Sequence, residues 1–163
     1  QFGSKLMICD AGFLIGVPLY TNYVGVGKFF ANLYGPIISR LPFSVLYPTG
    51  KKQNENQPRF VRWFNKADII ADDFHYIRRY MPNDLSGKII VTNTTTESDV
   101  ELLKGRGAKL LCTTTPRFNG RSFGTNVLEA TLTAIGGTGK PLNDPQIAKM
   151  LSEAQIQPSL TYY

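Results

Sequence analysis

The sequence is poor in cysteine, histidine and tryptophan. Its 163 residues include two cysteines, one histidine and one tryptophan. Cys9 and Cys112 cannot build a disulfide framework, and both lie in apolar runs typical of buried strands. We therefore expect a reducing, cytoplasmic environment. Because His75 has no second histidine to join it and neither cysteine has a neighbour at zinc spacing, we expect no metal site.

Long apolar runs are also missing. Runs such as Phe13–Val17 are far shorter than the ~20 residues of a membrane-spanning helix. The first residues lack the arrangement of a secretory signal, so we expect no membrane association. They lead almost at once into a strand-like run, which predicts that the chain is the C-terminal portion of a longer protein whose N-terminal half is missing.

What is present suits one globular domain over residues 1–163. The composition is 42% hydrophobic and 18% charged, with ten phenylalanines and eight tyrosines, which is enough to fill a core. Lysine and arginine number 18 against 12 acidic residues, a formal charge of +6. The excess is moderate and no recognised nucleic-acid motif accompanies it, so nucleic acid is not the expected partner.

Five short apolar runs predict buried strands, each ending at a polar or turn-forming residue. They are Lys5–Asp10, Phe43–Tyr47, Ala67–Ala71, Lys88–Val91 and Lys109–Cys112. Their nearly continuous apolarity indicates strands covered on both faces, as in a parallel sheet between layers of helices.

Segments with helical periodicity alternate with these runs. The predicted helices cover Val26–Tyr34, interrupted by Gly35-Pro36, Pro58–Phe64, Phe74–Tyr80, a segment opened by a Thr94-x-x-Glu97 capping box, a segment from about Phe123 to Gly136, and one opened by Asp144-Pro145. Gln157–Tyr163 has no periodicity and is expected to pack as an extended arm. This alternation predicts an α/β, Rossmann-like open sheet of about five mostly parallel strands with helices on both faces.

Ligands of open α/β sheets bind beyond the carboxyl ends of the strands. We expect Thr49, Asp73, Asn93 and Thr114 to emerge on one rim there. The residues predicted to bind a cofactor or anion are Thr49, Gly50, Lys51, Thr92, Asn93, Thr114, Thr115, Arg117, Asn119, Gly120, Arg121, Ser122 and Gly124. The alternative is that these loops are polar simply because they lie at the surface and cap helices.

The segment Thr113–Asn126 is the most informative part of that rim. Gly120 and Gly124 would let the backbone approach a ligand, Arg117 and Arg121 could both pair with an anion, and Ser122 or Thr125 could cap the following helix. This arrangement predicts an anion cradle at a helix N-terminus. A long capped turn with surface arginines is the alternative.

No catalytic group is defined by the sequence. Asp73 and Lys51 are the candidates, although a carboxylate at a strand end often only caps the next helix. Gly50-Lys51 and Gly139-Lys140 lack the other residues of a phosphate-binding P-loop. Gly25-Val26-Gly27 could begin a dinucleotide-binding turn, but Phe30 stands where its third glycine belongs.

Seven ordered stretches of the sequence resemble one known family. They are Arg40–Phe43, Leu46–Gln53, Ala67–Phe74, Ile77–Pro82, Leu85–Ile90, Thr113–Pro116 and Asn119–Asn126. The family is the bacterial and cyanobacterial one labelled quinate/shikimate 5-dehydrogenase-like. The likeness covers about Lys5 to Gly137 and corresponds to the C-terminal half of those longer chains.

The resemblance implies NAD(P)-linked oxidation of a cyclic polyhydroxy acid, with NAD or NADP as cofactor. Arg117, Arg121 or Lys51 would then hold a carboxylate or a cofactor phosphate. Hydroxyl groups of the ligand would bond to Thr92, Asn93, Thr114 and Asn119. True shikimate dehydrogenases carry a Lys–Asp catalytic pair and a glycine-rich dinucleotide turn, and neither pattern is matched here.

Whether the chain is an enzyme is left open at this point. One alternative is a non-catalytic Rossmann-like module that binds a nucleotide or small anion for sensing or assembly. Another is an interaction domain whose aromatic surface docks the missing N-terminal half. The partners expected from the sequence are therefore a small anionic molecule or nucleotide and the remainder of the parent chain.

Overall fold

The computed structural model of the chain describes residues 5–42, 50, 55–137 and 139–163. They belong to two units, Gln1–Glu55 and Asn56–Tyr163. The predicted strand Phe43–Tyr47 lies outside the described residues.

The first unit contains helices α1 (Asp10–Ile15) and α2 (Val24–Ile38). The predicted strand Lys5–Asp10 is wrong, because within it Ile8 alone pairs, in an isolated bridge with Thr21. Cys9 already has helical dihedral angles, so the chain turns into α1 instead of extending. Helix α2 continues through Gly35-Pro36, where an interruption was predicted. Pro36 lies so close to the C-terminal end of the helix that most of the helix is left intact.

The second unit is built on a four-stranded sheet and a separate two-stranded hairpin. The strands of the unit are β1 (Ile69–Ala71), β2 (Ile89–Thr92), β3 (Leu110–Thr113), β4 (Arg117–Phe118), β5 (Arg121–Ser122) and β6 (Ser159–Tyr162). The sheet order is β1-β2-β3-β6, and β4 pairs with β5 in the hairpin. Strands β1, β2 and β3 are parallel, and β6 joins β3 in the antiparallel direction. Three predicted strands and a mostly parallel open sheet are thus confirmed, whereas the predicted arm is an edge strand.

The described residues of the second unit also form five helices. They are α3 (Val61–Lys66), α4 (Phe74–Tyr80), α5 (Glu97–Gly105), α6 (Thr125–Gly136) and α7 (Asp144–Glu153). The prediction for α4 is confirmed, and α6 ends at the predicted glycine, with Gly137 left-handed at its C-cap. Helices α5 and α7 each begin with a capping box, and in both the N-cap residue differs from the predicted one. Thr96 and Asp99 form the box of α5, and Asn143 and Gln146 that of α7.

The shifts have local causes. Thr94 has φ of +53°, whereas an N-cap residue is extended, so the cap falls on Thr96. Helix α3 begins at Val61 instead of Pro58 because the amides of Gln57 and Arg59 bond to carbonyls at the end of α4. These bonds hold residues 57–59 outside the helix.

The sheet buries one face more completely than the other. Ile90 and Leu111 are fully buried, whereas their strand neighbours Ile89 and Leu110 are only half-buried. Because β1, β2 and β3 follow one another in a single direction, right-handed crossovers place α4 and α5 on the same face. Ile69 on the opposite face is 57% exposed. This face is less completely covered than the face against α4 and α5, and helices on both faces of the sheet stay a prediction.

Candidate functional site

The carboxyl ends of the three parallel strands meet at one edge of the sheet. The amide of Asp72 donates to the carbonyl of Val91 at 3.3 Å, and that of Thr114 donates to the carbonyl of Thr92 at 2.9 Å. These contacts bring Asp73, Asn93 and Thr114 to the predicted rim. Of the other rim candidates, Gly50 belongs to the first unit, and 49 and 51 lie outside the described residues.

Three of the residues predicted to bind a ligand, and the neighbouring Thr113, instead have buried hydroxyls that bond to the protein itself. Thr92, Thr113, Thr115 and Ser122 are each no more than 4% exposed. The hydroxyl of Thr113 donates to the carbonyl of Thr115 at 2.9 Å, and that of Thr115 donates to the carbonyl of Phe123 at 2.6 Å. Thr92 donates to the carbonyl of Asn93 at 3.3 Å. These side chains hold the loops together and do not face a ligand.

The predicted anion cradle is a β-hairpin. Asn119 and Gly120 both have positive φ, +48° and +78°, which is the type I′ turn that joins β4 and β5. Ser122 does not cap α6, because its hydroxyl accepts from the amide of Thr95 at 2.8 Å and lies 2.7 Å from the Thr95 hydroxyl. The Asn119-Gly120 pair between two short runs was a sequence signal for this hairpin, which was not among the predicted elements.

The two arginines of the hairpin lie on opposite faces of it. Arg117 pairs across the ladder with Ser122, whereas Arg121 pairs with Phe118, and successive side chains of a strand point to opposite faces. Arg117 folds back to donate to the carbonyl of Gly120 at 3.2 Å, while Arg121 is exposed. The two guanidiniums therefore do not share one face of the hairpin, and anion binding by either arginine stays a prediction.

Arg117 also shapes its surroundings. Its Nη1 lies 3.5 Å from the hydroxyl of Thr161 on β6. Burial raises the pKa of Tyr163 to about 12, an effect that Arg117 opposes and Glu101 reinforces. The guanidinium is therefore part of the contact between the hairpin and the edge strand.

The start of α6 is the part of this edge that stays open. Gly124 is its N-cap and supplies no side chain to the first turn. A Cβ built on Gly124 would lie 3.4 Å from the hydroxyl of Thr94, so that hydroxyl stands beside the helix start. Thr94 in turn donates to Asn93 Oδ1 at 3.1 Å. Backbone N–H groups, a hydroxyl and an amide thus converge at one place.

The other two helix starts at this edge are already capped. Asp73 Oδ1 accepts from the amide of His75 at 2.9 Å, which explains the carboxylate as the N-cap of α4. Asp99 and Thr96 complete the capping box of α5. Burial, Tyr80 and the Asp72 and Asp73 carboxylates together raise the pKa of Tyr76. The β1 side of the edge is thus acidic and the α6 side is not.

A shallow groove of about 690 Å³ also runs along α6. It is lined by Asn126, Glu129, Ala130, Thr133, Ala134, Gly137, Gly139 and Pro141. It touches the first turn of α6 through Asn126 but includes none of Asn93, Thr94 or Thr114. The groove is therefore separate from the converging polar groups.

The described part of the chain contains neither a group of residues that could hold a metal ion nor a helix that could span a membrane. No three His, Cys, Asp or Glu side chains there lie close enough together to hold a metal ion. No helix there combines the length and apolarity needed to cross a membrane.

The fold and this edge define the chain as a mixed α/β protein with a mostly parallel, open four-stranded sheet. It belongs to the family described as "Domain of unknown function (DUF8754)", whose family model matches residues 1–163. No curated protein and no solved structure matches the chain. The likeness to quinate/shikimate 5-dehydrogenase-like proteins stays a prediction.

Proposed function

We propose that the second unit binds a small anionic molecule at the carboxyl edge of its sheet. The observation that carries the proposal is the uncapped start of α6 beside Asn93 and Thr94. The first N–H groups of any α-helix have no acceptor within the helix, and the helix dipole attracts negative charge to them. Gly124 leaves these groups accessible because it has no side chain.

The same edge favours a ligand with one acidic group and several hydroxyls. A carboxylate or phosphate would accept from the first turn of α6. The exposed hydroxyl of Thr114 and the half-buried amide of Asn93 can bond to hydroxyls of the ligand. The Asp72 and Asp73 carboxylates on the β1 side would repel a second anionic group. A polyhydroxy carboxylate fits this distribution of charge better than a pyrophosphate.

Replacing Gly124 with alanine is expected to weaken binding by about tenfold, or ~1.4 kcal/mol. The new methyl group would lie 3.4 Å from the Thr94 hydroxyl, at the start of the helix where the anion is proposed to bind. Gly124 has φ of −66° and ψ of 150°, so alanine introduces no backbone strain. Isothermal titration with quinate, shikimate, NAD and NADP measures the affinity.

Gly105→Ala is the matched control, since a Cβ there meets nothing within 4 Å. It should bind like the unsubstituted protein. Equal affinity of the Gly124→Ala variant, or no heat of binding with any of the four ligands, would remove the proposal.

A narrower candidate comes from the sequence resemblance: NAD(P)-linked oxidation of a quinate-like acid by a Rossmann-like domain. The order β1-β2-β3 is compatible with one half of a doubly wound sheet. The start of α6 suits a single phosphate. The turn between β1 and α4 does not suit a dinucleotide. It contains no glycine, and the Asp73 carboxylate already caps the start of α4. The described residues offer no defined base for hydride transfer.

The oxidoreductase candidate predicts a rise in absorbance at 340 nm when the purified protein is mixed with quinate or shikimate and NAD or NADP. The rise should depend on both the acid and the nucleotide. Binding of the acid by calorimetry with a flat absorbance trace would instead identify a non-catalytic binding module.

A further inference from the structure

A cluster of arginine and tyrosine side chains lies at the C-terminal end of α4. The Cζ atom of Arg59 is 5.8 Å from the centre of the Tyr80 ring, and that of Arg79 is 5.7 Å from the same centre. The ring of Tyr76 lies one turn earlier, 6.3 Å from that of Tyr80. We call Arg59, Arg79, Tyr76 and Tyr80 the arginine–tyrosine surface.

Backbone hydrogen bonds hold the two sides of this surface together. The amide of Gln57 donates to the carbonyl of Arg79 at 2.7 Å, and the amide of Arg59 donates to that of Tyr80 at 3.2 Å. Asn56 Nδ2 donates to the carbonyl of Arg78 at 2.8 Å. The segment that carries Arg59 is therefore fixed beside α4 before any ligand arrives, which lowers the entropic cost of binding.

The two arginines of this surface form no ion pair with a described residue, although the Asp72 and Asp73 carboxylates act on Tyr76 at the other end of α4. Neighbouring Arg78, in contrast, pairs with Asp99 at 2.6 Å. The Nε of Arg79 is buried and has no hydrogen-bond partner in the described part of the chain. Because both guanidinium carbons lie within 5.8 Å of the centre of the Tyr80 ring, an anion bound beside that ring would be attracted by both positive charges.

The combination of rings and guanidiniums is the reason to favour one class of anion. A guanidinium lying over an aromatic ring offers its opposite plane to a nucleobase and its N–H groups to phosphate. Non-sequence-specific binding of single strands uses such cations together with stacking side chains. A phosphorylated protein or a polyanion such as heparin would use the charges alone.

We propose that the arginine–tyrosine surface binds single-stranded nucleic acid. Arg59, Arg79 and Tyr80 lie at the C-terminal end of α4, whereas Asp73 at the other end of that helix belongs to the rim. The surface is therefore proposed as a second site and does not depend on the ligand proposed above. The exposed Arg62 on α3 adds a further cation close in sequence to Arg59.

The test is fluorescence anisotropy with a labelled oligothymidine of about 12 nucleotides, within the usual site size. The Arg59→Gln/Arg79→Gln variant should bind at least about tenfold more weakly. Affinity for oligothymidine falls as salt rises, and the loss of two phosphate contacts should make this dependence less steep. The magnitude of the slope of log affinity against log salt should decrease by about 1.4. Lys104→Gln/Lys149→Gln removes the same net charge elsewhere and is the matched control, which should keep the slope.

Three single variants separate folding from binding. Arg59→Gln should not disturb folding, because the side chain is exposed and the contact with α4 is made by the backbone amide of Arg59. It should reduce the magnitude of the salt-dependence slope by about 0.7. Tyr80→Leu should weaken oligothymidine binding several-fold and leave heparin binding unchanged, whereas Tyr80→Phe should bind normally.

Three results would overturn the proposal. The first is no oligothymidine binding at low salt. The second is equal weakening in the Arg59→Gln/Arg79→Gln and Lys104→Gln/Lys149→Gln variants. The third is that heparin or a phosphopeptide binds as tightly as oligothymidine and that Tyr80→Leu changes the affinity for none of these three ligands. That result would identify a general polyanion-binding surface.

Discussion

Replacing Asp99 with alanine is expected to destabilise the second unit by about 3–5 kcal/mol. The Asp99 side chain is 5% exposed and accepts from Arg78 Nη1 at 2.6 Å. It also accepts from the amide of Thr96 at 2.9 Å and from the Thr96 hydroxyl at 2.7 Å. The substitution therefore leaves the mostly buried Arg78 without its carboxylate and opens the capping box of α5. Urea unfolding followed by circular dichroism measures the loss.

Glu97→Ala is the comparison for Asp99→Ala. Glu97 lies in the same first turn of α5 but is exposed, so removing it should cost no more than about 1 kcal/mol through the helix dipole. Similar losses for the two variants would mean that the Arg78–Asp99 contact contributes little to stability.

Replacing Leu111 with alanine is expected to cost about 2–5 kcal/mol. Leu111 is fully buried on β3, which lies between β2 and β6 in the sheet. Truncating it leaves a cavity that neighbouring strands on both sides prevent from closing. Thermal or urea unfolding gives the change in the free energy of unfolding.

Leu160→Ala on the adjacent strand is the matched control. Leu160 is 55% exposed and pairs with Cys112, so it lies on the opposite face of the sheet from Leu111. Its removal should cost less than about 1 kcal/mol. A loss as large as that of Leu111→Ala would show that the more open face is covered in solution.

The strands and helices that the sequence predicted well are those specified by neighbouring residues. The run Lys88–Val91 overlaps β2 because it is apolar throughout and bounded by polar residues. The α6 helix ends at Gly136 because Gly137 takes the left-handed conformation that suits glycine. The rim of Asp73, Asn93 and Thr114 follows from parallel pairing alone, once the strands are known.

The errors of sequence interpretation arose where two patterns competed or where a distant partner decided. Thr94-x-x-Glu97 and Thr96-x-x-Asp99 are both capping-box patterns, and the positive φ of Thr94 selects the second. Ser122 was a plausible cap for α6, but Thr95 takes its hydroxyl instead. Local spacing carries no information about which of these partners is nearer in space.

The sequence by itself determined the three parallel strands, the bounds of α4 and the polar edge, because apolar runs, caps and glycines act over a few residues. Only the tertiary structure decided that residues 159–162 join β3 as an antiparallel strand, that Arg117 and Arg121 face opposite ways, and that Arg59 and Arg79 both lie against the Tyr80 ring. These outcomes depend on register and on backbone pairing between distant segments, and many alternative pairings satisfy the same local patterns until the whole chain is packed.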